Sequence, residues 1–331
     1  MVSKVLVLGS NSFSGTWFCE HALAQGAEVI GVSRSKEPNP VFLPYRWFGH
    51  DKAFRFYPYD INHHLDEIMA LVEGEKIAHV VNFAAQSMVG QSWEFPEHWF
   101  QTNAVSTTKL FNRLRRLDFI ERYVHVTTPE VYGSTDGGFI SENTPFNPST
   151  PYAASRAASD MSLKTFVDAY GFPAVSTRAA NVYGAGQQLY RIIPRTILFA
   201  RLGRKMQLHG GGLSKRVFID MRDVCEATWL LMAKGKNGEC YHISGDEVVT
   251  IRALVERIAA KMGVAFDDLA VVGEDRLGKD AAYLLDSKKI RKAVGWSDKI
   301  TLEQGLDDCI AWVDKNLETL RNQPFDYIHK P

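Results

Sequence analysis

Short apolar runs alternate with helix-like stretches through the first 180 residues of the chain. The runs over 4–8, 28–32, 54–57, 79–83, 122–127 and 174–178 predict β-strands. Helices are predicted between them, one ending near 25–26 and the others over about 65–72, 98–117 and 153–169. Such alternation is typical of a parallel sheet covered by helices on both faces, because each parallel pair needs a crossover connection.

Beyond residue 180 the alternation loosens, and glycine-rich segments appear at 184–186 and 210–212. Short strands and interspersed helices replace the regular pattern there. We therefore predict an α/β fold with a doubly wound parallel sheet over residues 1–180, to which part of 217–245 returns. A smaller α/β lobe over 181–331 is predicted to bind substrate.

The first predicted strand leads into a turn with two glycines, in the segment GSNSFSG. A dinucleotide fingerprint has three glycines, for the tight turn, the approach of phosphate and close helix packing. Gly9 and Gly15 occupy the first and last of these positions, and Ser12 occupies the middle one. The pattern predicts a Rossmann dinucleotide site, with an ordinary strand–turn–helix as the alternative. The residues predicted to contact the cofactor here are Gly9, Asn11, Ser12, Phe13, Ser14 and Gly15.

The second predicted strand ends in Ser33-Arg34-Ser35, where an NAD-binding protein would carry an acid for the ribose hydroxyls. A guanidinium with small hydroxyls at this position favours the 2′-phosphate of NADP, because charge-assisted contacts to phosphate are strong. We predict NADP as the cofactor, with NAD as the alternative, and Ser33 and Arg34 as contacts. In the other interpretation Arg34 is a solvated loop charge.

Polar or small residues also follow the next three strands, at the sheet edge where open parallel sheets bind ligands. These residues are Asp60 and Ile61 after the third strand, Ala84, Ala85, Gln86 and Ser87 after the fourth, and Thr128 and Glu130 after the fifth. Ser87 is assigned to the substrate and its neighbours 84–86, with 60–61, to the cofactor. Tyr152 and Arg156 stand four residues apart on a predicted helix, which puts the phenol and the cation on one face.

Composition excludes several classes of function. The 38 basic and 38 acidic residues give no net charge, which argues against nucleic acid or a membrane surface as the main partner. The 4 cysteines lack metal-ligand spacing, so no metal site or disulfide framework is predicted. No apolar run approaches the ~20 residues needed to span a bilayer. The chain enters its first strand without a basic and apolar leader, and we expect a cytoplasmic protein.

Several longer segments resemble one known family in sequence and in order. They are NFAAQSMVGQSWEFP (82–96), TTPEVYG (127–133), PYAASRAASD (151–160), RAANVYGAGQ (178–187), IIPR (192–195), KRVFIDMRDV (215–224) and YLLDSKKIRKAVGW (283–296). Together they cover almost the whole chain and resemble the extended short-chain dehydrogenase/reductases, the NAD-dependent epimerase/dehydratase family. Within it, the chain is most similar to the 4,6-dehydratases for GDP-mannose and dTDP-glucose.

The resemblance implies roles for individual residues. In the family, a tyrosine at the position of Tyr152 takes the proton of the sugar C4 hydroxyl, and a threonine at Thr128 hydrogen-bonds that hydroxyl. In the dehydratases, a glutamate at Glu130 removes the C5 proton, so that the C6 hydroxyl leaves as water. Hydride then returns to C6, and the cofactor is regenerated within one turnover. In reductases and epimerases the same glutamate can serve packing alone.

Two positions depart from the family pattern. Pro129 stands where the dTDP-glucose type has an aspartate that protonates the leaving hydroxyl, and proline has no proton to give. The GDP-mannose type resembles this chain better here. Arg156 replaces the family lysine, retaining the positive charge but not the ability to release a proton. The catalytic set implied by the resemblance is thus Thr128, Glu130, Tyr152 and Arg156, the last two also contacting the cofactor.

The substrate lobe is expected to hold a nucleotide diphosphate sugar. Asn181 matches a family position that contacts sugar or phosphate, and Arg191, Arg216 and Arg276 match basic residues near the diphosphate. Bidentate guanidinium contacts are suited to pyrophosphate. The family is dimeric through helices matching 98–117 and 153–169, which implies a homodimer here.

These features predict a nucleotide-sugar 4,6-dehydratase that acts by internal redox on a GDP- or dTDP-hexose. One alternative is a nucleotide-sugar 4-epimerase or 4-keto-sugar reductase, in which Glu130 is passive. Another is a non-catalytic homologue that binds dinucleotide, which the changes at Ser12, Pro129 and Arg156 allow.

Overall fold

A computed structural model describes residues 2–135, 137–273 and 283–331. Its strands are β1 (Lys4–Leu8), β2 (Glu28–Val32), β3 (Phe54–Tyr57), β4 (His79–Asn82), β5 (Arg122–Val126), β6 (Phe139–Ile140), β7 (Ala174–Ala179), β8 (Asn181–Tyr183), β9 (Met206–His209), β10 (Lys215–Asp220), β11 (Cys240–Ile243), β12 (Val248–Thr250), β13 (Ala270–Gly273) and β14 (Leu284–Leu285). Its α-helices are α1 (Phe13–Ala24), α2 (Leu65–Gly74), α3 (Pro96–Phe100), α4 (Thr107–Leu114), α5 (Pro151–Tyr170), α6 (Ile192–Leu202), α7 (Met221–Lys234), α8 (Ile251–Met262), α9 (Phe266–Leu269), α10 (Lys288–Val294), α11 (Leu302–Lys315) and α12 (Leu317–Leu320). The predicted strand–helix alternation over the first 180 residues is confirmed.

A seven-stranded sheet in the order β11-β7-β5-β4-β1-β2-β3 forms the centre of the described structure. All neighbouring strands in it run parallel. From β1 the chain moves outward to β2 and β3 and then crosses to β4 on the other side of β1. This reversal is a topological switch point, and its crevice lies at the carboxyl ends of β1 and β4. The predicted Rossmann α/β fold is confirmed.

The central strand β1 shows why the sheet is covered on both faces. Val5 and Val7 pack with α1 and α7 in one hydrophobic cluster, whereas Leu6 and Leu8 pack with α2 and α4 in another. All four side chains are fully buried. Successive side chains of a strand point to opposite faces, so an unbroken apolar run requires helices on both sides.

The second half of the chain builds smaller sheets around the crevice. β10 pairs parallel with β8 and antiparallel with β12, and β9 pairs with β13. Helices α6, α8 and α11 contribute to one hydrophobic cluster there. β11 joins the central sheet beside β7. The predicted division of the chain at residue 180 stays a prediction.

The predicted long helix over 98–117 differs from the observed element. Helix α3 begins at Pro96, passes through a π-helical segment (Gln101–Ser106) and continues as α4 to Leu114. Asn103 within the π-helical segment accepts a hydrogen bond from the amide of Gln86 at 2.8 Å and donates to its carbonyl at 2.9 Å. Such tertiary contacts are not visible in helical periodicity. Among the described residues, no helix combines the length and apolarity needed to cross a membrane.

Candidate active site

The turn between β1 and α1 leaves space at the switch point. Gly9 has φ of 79°, and a Cβ there would lie 2.7 Å from the backbone nitrogen of Ala84. A Cβ on Gly15 would clash with the carbonyl oxygen of Gly9. The Ser12 hydroxyl caps α1 by accepting a hydrogen bond from the Gly15 amide at 3.0 Å. A tight glycine turn that leads into a helix N-terminus suits a dinucleotide pyrophosphate, so these residues fit the cofactor.

The end of β2 carries the residues predicted to contact the adenosine ribose. The Asn11 amide donates to the Ser33 hydroxyl at 3.1 Å, which joins the glycine turn to this loop. Arg34 donates to the carbonyl oxygens of Lys330 at 3.1 Å and Pro331 at 2.7 Å. Arg34 is exposed and hydrogen-bonded to the last residues of the chain, and its predicted role at the cofactor stays a prediction.

The ends of β3 and β4 are ordered by their own side chains. Asp60 accepts a hydrogen bond from the Asn62 amide at 2.6 Å, and Ile61 is buried in the core. Ala84 donates its amide to the Asn82 side chain at 3.0 Å. Gln86 is fixed by its pairing with the π-helical segment, so the edge of the crevice is rigid here.

A cavity of about 990 Å³ opens between this edge and the second half of the chain. Predicted site residues that line it are Ser12, Phe13, Ser14, Ala85, Ser87, Thr128, Glu130, Tyr152, Arg156, Asn181, Arg191 and Arg216. The other predicted residues do not line it: Gly9, Asn11, Gly15, Ser33, Arg34, Asp60, Ile61, Ala84 and Gln86. Arg276 falls outside the described residues. The cavity is thus lined by all four predicted catalytic residues, by part of the predicted cofactor group and by the predicted substrate group apart from Arg276.

The predicted catalytic side chains come from two adjacent elements. Thr128 lies two residues after the end of β5. It caps the 3₁₀ turn Pro129–Tyr132 by accepting a hydrogen bond from the Glu130 amide at 3.3 Å. Tyr152 lies in the first turn of α5, which begins at Pro151 because Thr150 caps it with a 3.1 Å hydrogen bond from the Ala153 amide. Pro129 and Pro151 both occupy first helical positions, where no amide hydrogen is needed.

The charges around Tyr152 oppose each other. Burial raises the pKa of the Tyr152 phenol above its usual value of 10.0, and the Glu130 carboxylate raises it further. The Arg156 guanidinium and a hydrogen bond with Thr128 lower this pKa. The expected effect of a cation at position 156 is thus present, but burial outweighs it. The phenol therefore holds its proton more strongly than a free tyrosine does.

Arg156 is almost fully buried, with 3% of its surface exposed. One terminal nitrogen donates to the Val126 carbonyl at the end of β5, and Nε has no hydrogen-bond partner among the described residues. A buried N–H without a partner is costly, so this nitrogen is suited to a bound acceptor. The guanidinium lines the cavity beside Tyr152, where such an acceptor would lie.

A buried polar network lies behind these residues, and sequence reasoning missed its role. Asp160 on α5 accepts from Arg178 at 2.7 Å and lies 3.1 Å from His125 Nε2. Arg178 also contacts the Tyr132 hydroxyl, which lies 2.7 Å from His242 Nε2. Burial alone would raise the pKa of Asp160, but the hydrogen bond from His125 and the Arg178 charge bring it to about 2. The network connects α5 to the turn that carries Glu130.

The far wall of the cavity is basic and aromatic. The Arg216 guanidinium lies 4.8 Å from the ring centre of Tyr283, and Arg191 lies 5.5 Å from that of Tyr190. The Asn181 amide donates to the Val217 carbonyl at 3.3 Å. Tyr190, Arg195, Lys205 and His209 also line this wall but were not predicted site residues. Arg195 lies within the quoted IIPR segment, so the sequence did carry a signal for it.

The fold and cavity define a Rossmann-type protein with a polar site at its switch point. A family model described as GDP-mannose 4,6 dehydratase matches residues 6–309. A dTDP-glucose 4,6-dehydratase from Neisseria meningitidis is 30% identical over an alignment of 338 residues, covering 93% of this chain and 92% of the relative. One from Xanthomonas campestris is 34% identical over 251 residues, covering 70% of this chain and 71% of the relative. The chain therefore belongs to the GDP-mannose 4,6-dehydratase family.

Solved structures agree with this assignment. A dTDP-glucose 4,6-dehydratase from Streptomyces venezuelae, with NAD and TYD bound, has a TM-score of 0.88 at 30% identity and covers 96% of this chain and 98% of its own. A UDP-glucose 4-epimerase from Thermotoga maritima has a TM-score of 0.86 at 23% identity, a likeness of fold alone. The resemblance drawn from the sequence motifs is confirmed. The predicted preference for NADP finds no support here, since the Streptomyces enzyme contains NAD.

Proposed function

We propose that this protein is a nucleotide-sugar 4,6-dehydratase that works by internal redox on a GDP- or dTDP-hexose. The observation that carries the proposal is the position of Glu130, which shares the cavity with Thr128 and Tyr152 and acts electrostatically on the Tyr152 phenol. A base beside the C4 oxidation centre is what elimination across C5 and C6 requires. Simple epimerisation or reduction at C4 needs no such group.

The residues divide the work as follows. Tyr152 takes the proton of the C4 hydroxyl, which Thr128 holds by a hydrogen bond. A nicotinamide dinucleotide held at the glycine turn would supply the acceptor for the C4 hydride and the donor for its return to C6, while a proton from solvent reaches C5. The C4 ketone acidifies C5, and Glu130 takes the C5 proton and passes it to the departing C6 hydroxyl, which leaves as water. Glu130 serves as both base and acid because Pro129 has no proton to supply.

We propose NAD as the cofactor, held by the glycine turn and by the ends of β2, β3 and β4. In this structure the Arg34 guanidinium donates hydrogen bonds to the carbonyls of Lys330 and Pro331. The group that would bind the 2′-phosphate of NADP therefore already has other partners. The Arg156 guanidinium, with its unpartnered Nε, would then hold a cofactor oxygen in place of the family lysine. Arginine stays charged at every working pH, so the cavity keeps its positive charge.

The substrate is proposed to extend from the catalytic residues toward the basic wall. Arg191, Lys205 and Arg216 line that wall and suit a diphosphate, and Asn181 lies between them and the sugar end. These residues come mainly from the second half of the chain, which supports its proposed role as a substrate-binding lobe. We also propose a cytoplasmic location, in keeping with 4 unpaired cysteines.

A homodimer through the paired helices α4 and α5 is proposed as well. Thr108 on α4 and Ser162 on α5 lie 3.2 Å apart, so the two helices form one surface. Large apolar side chains are exposed on or beside this surface: Phe100, Val105, Met161 and Tyr170. Light scattering should give twice the chain mass, and Met161→Glu should shift the protein toward a monomer. A wild-type monomer at all concentrations would contradict the dimer.

The reaction itself is tested by isotope labelling. A GDP- or dTDP-hexose carrying deuterium at C4 of the sugar is incubated with the protein and NAD in ordinary water. We expect a product lighter by one water with the deuterium at C6, because the C4 hydride returns to C6. In heavy water with unlabelled sugar, one deuterium should enter at C5. Return of the label to C4 without loss of water would instead establish an epimerase.

A further inference from the structure

The last residues of the chain form an extended segment beside the cavity, which Asp326 lines. Burial alternates along it: Phe325, Tyr327 and His329 are half-buried, whereas Asp326, Ile328 and Lys330 are exposed. A period of two is that of an extended chain lying with one face on the protein. We call residues 325–331 the strap.

The first part of the strap is fixed to the substrate side. Arg195 on α6 donates to the Phe325 carbonyl at 2.6 Å, and the Phe325 ring lies edge-on to Phe199 at 5.9 Å. Tyr327 packs edge-on against Tyr190 at 5.6 Å between ring centres. Arg195, Phe199 and Tyr190 all line the cavity. The strap therefore starts on the basic wall.

The middle of the strap is fixed to α3 on the opposite side. The His329 ring stacks on Phe95 at 4.9 Å and on Trp99 at 5.1 Å, nearly parallel to both. A nitrogen of His329 also lies 2.9 Å from His98 Nδ1. Aromatic contacts of this kind stabilise beyond the area that they bury. This stack is the strap's most extensive aromatic contact.

The end of the strap spans the switch point itself. The Lys330 carbonyl accepts from Gln86 after β4 at 2.7 Å and from Arg34 after β2 at 3.1 Å. The Lys330 ammonium also donates to the Ser35 hydroxyl at 3.1 Å. Strands β2 and β4 flank β1 on opposite sides. One carbonyl thus bonds to both edges of the crevice, where a dinucleotide would bind across the strand ends.

We propose that the strap is part of the dinucleotide site and retains the cofactor between turnovers. The inference rests on the proposed function in one respect: internal redox returns the cofactor to its starting state, so turnover requires no exchange. Slow release of the cofactor therefore does not slow turnover. In an enzyme that consumes NAD as a substrate, slow release of the used cofactor would limit the rate. The strap must swing away from Gln86 and Arg34 for the cofactor to leave.

The test measures release of NADH, with no sugar nucleotide present. NADH bound to the protein is mixed with excess NAD in a stopped-flow instrument, and the loss of NADH fluorescence gives the dissociation rate. His329→Ala removes the stack, and deletion of 328–331 removes the crossing. Ile328→Ala is the matched control, because that side chain is 65% exposed on the same segment.

We expect release to be about tenfold faster in His329→Ala, the equivalent of one aromatic contact, and faster still in the deletion variant. The control should match the wild type. Unchanged rates in both variants, or slower release in the deletion variant, would overturn the proposal, the latter by showing that the strap competes with the dinucleotide. Failure of the wild type to bind NADH would overturn the proposed function as well. Absence of dehydration alone would leave the release result standing.

Discussion

Tyr152 is the base of the proposed mechanism, and two side chains of opposite charge shift its pKa in opposite directions. Glu130 raises its pKa and Arg156 lowers it, in a buried position that itself favours the neutral phenol. Pro129 and Arg156, the two positions that depart from the family pattern, both bear on proton transfer at Tyr152 and Glu130. Pro129 leaves Glu130 as the acid–base group of the turn, and Arg156 supplies a permanent positive charge.

Replacing Glu130 by glutamine separates oxidation from elimination. In Glu130→Gln we expect loss of water to slow by about 10²–10⁴-fold, the usual contribution of a general acid–base group. Oxidation at C4 should persist, so NADH should accumulate and be visible by its absorbance. An unchanged rate of water loss would show that Glu130 is passive.

Replacing Arg156 tests the charge at the phenol. In Arg156→Met the pKa of Tyr152 rises, so the pH at which C4 oxidation reaches half its maximum should move up. Arg156→Lys keeps the charge and should leave this pH nearly unchanged. Glu130→Gln should move it in the opposite direction, because it removes the negative neighbour. A pH profile that is the same in all variants would contradict the assignment of Tyr152 as the base.

These catalytic side chains could be placed from sequence because strand ends and a four-residue helical spacing bring them to one edge. The direction of the Arg156 guanidinium could not be predicted, since it depends on the Val126 carbonyl at the end of another strand. The net effect on the Tyr152 pKa depends on burial, which the spacing of residues does not reveal.

Among the elements, the turn Pro129–Tyr132 and helix α5 must hold a fixed relation for Glu130 and Tyr152 to act on neighbouring sugar carbons. The Tyr132 hydroxyl contacts Arg178 and His242, and Arg178 pairs with Asp160 on α5. These buried hydrogen bonds join the turn to α5, although Arg178 Nε and His242 Nδ1 have no partner among the described residues. Tyr132 thus positions the turn.

Removing the Tyr132 hydroxyl tests this positioning. Tyr132→Phe keeps the ring but leaves Arg178 and His242 short of a partner, and we expect about 1–3 kcal/mol lower stability to urea. Loss of water should slow about tenfold, with the affinity for NADH unchanged. Accumulation of NADH with the 4-keto sugar would indicate that Glu130 is displaced. General damage to the site would weaken cofactor binding as well.

The strap should respond to pH through His329. Burial lowers the pKa of His329 from its usual 6.5, and the charges of His98 and Arg34 lower it further, while Glu94 and Glu97 oppose them. The docked strap therefore favours neutral His329, and its docking is lost as pH falls below about 6.5. NADH release should accelerate between pH 7.5 and 5.5. His329→Phe, which cannot titrate, should release NADH at a nearly constant rate over this range.

Neither the strap nor the π-helical segment could be predicted from the sequence. The strap pairs with no strand in the part of the chain that the structure describes, and its course is fixed by contacts with α6, α3 and two strand ends far away in sequence. The central strands were predictable because burial on both faces leaves unbroken apolar runs.

At the scale of the whole molecule, the proposed function assigns two ligands to one crevice. The strand order places the switch point at β1 and β4, and the second half of the chain supplies a basic wall opposite. The Rossmann half was predictable from alternation alone. The shape of the second half was not, because its short strands pair across long sequence distances.

The most direct measurement is the mass of the product. The purified protein is incubated with NAD and, separately, with GDP-, dTDP-, UDP- and CDP-hexoses, and each reaction is followed by mass spectrometry and by NADH absorbance. We expect one GDP- or dTDP-hexose to lose a single water with no net formation of NADH. Unchanged mass across the whole panel would contradict the proposed dehydration of these sugars.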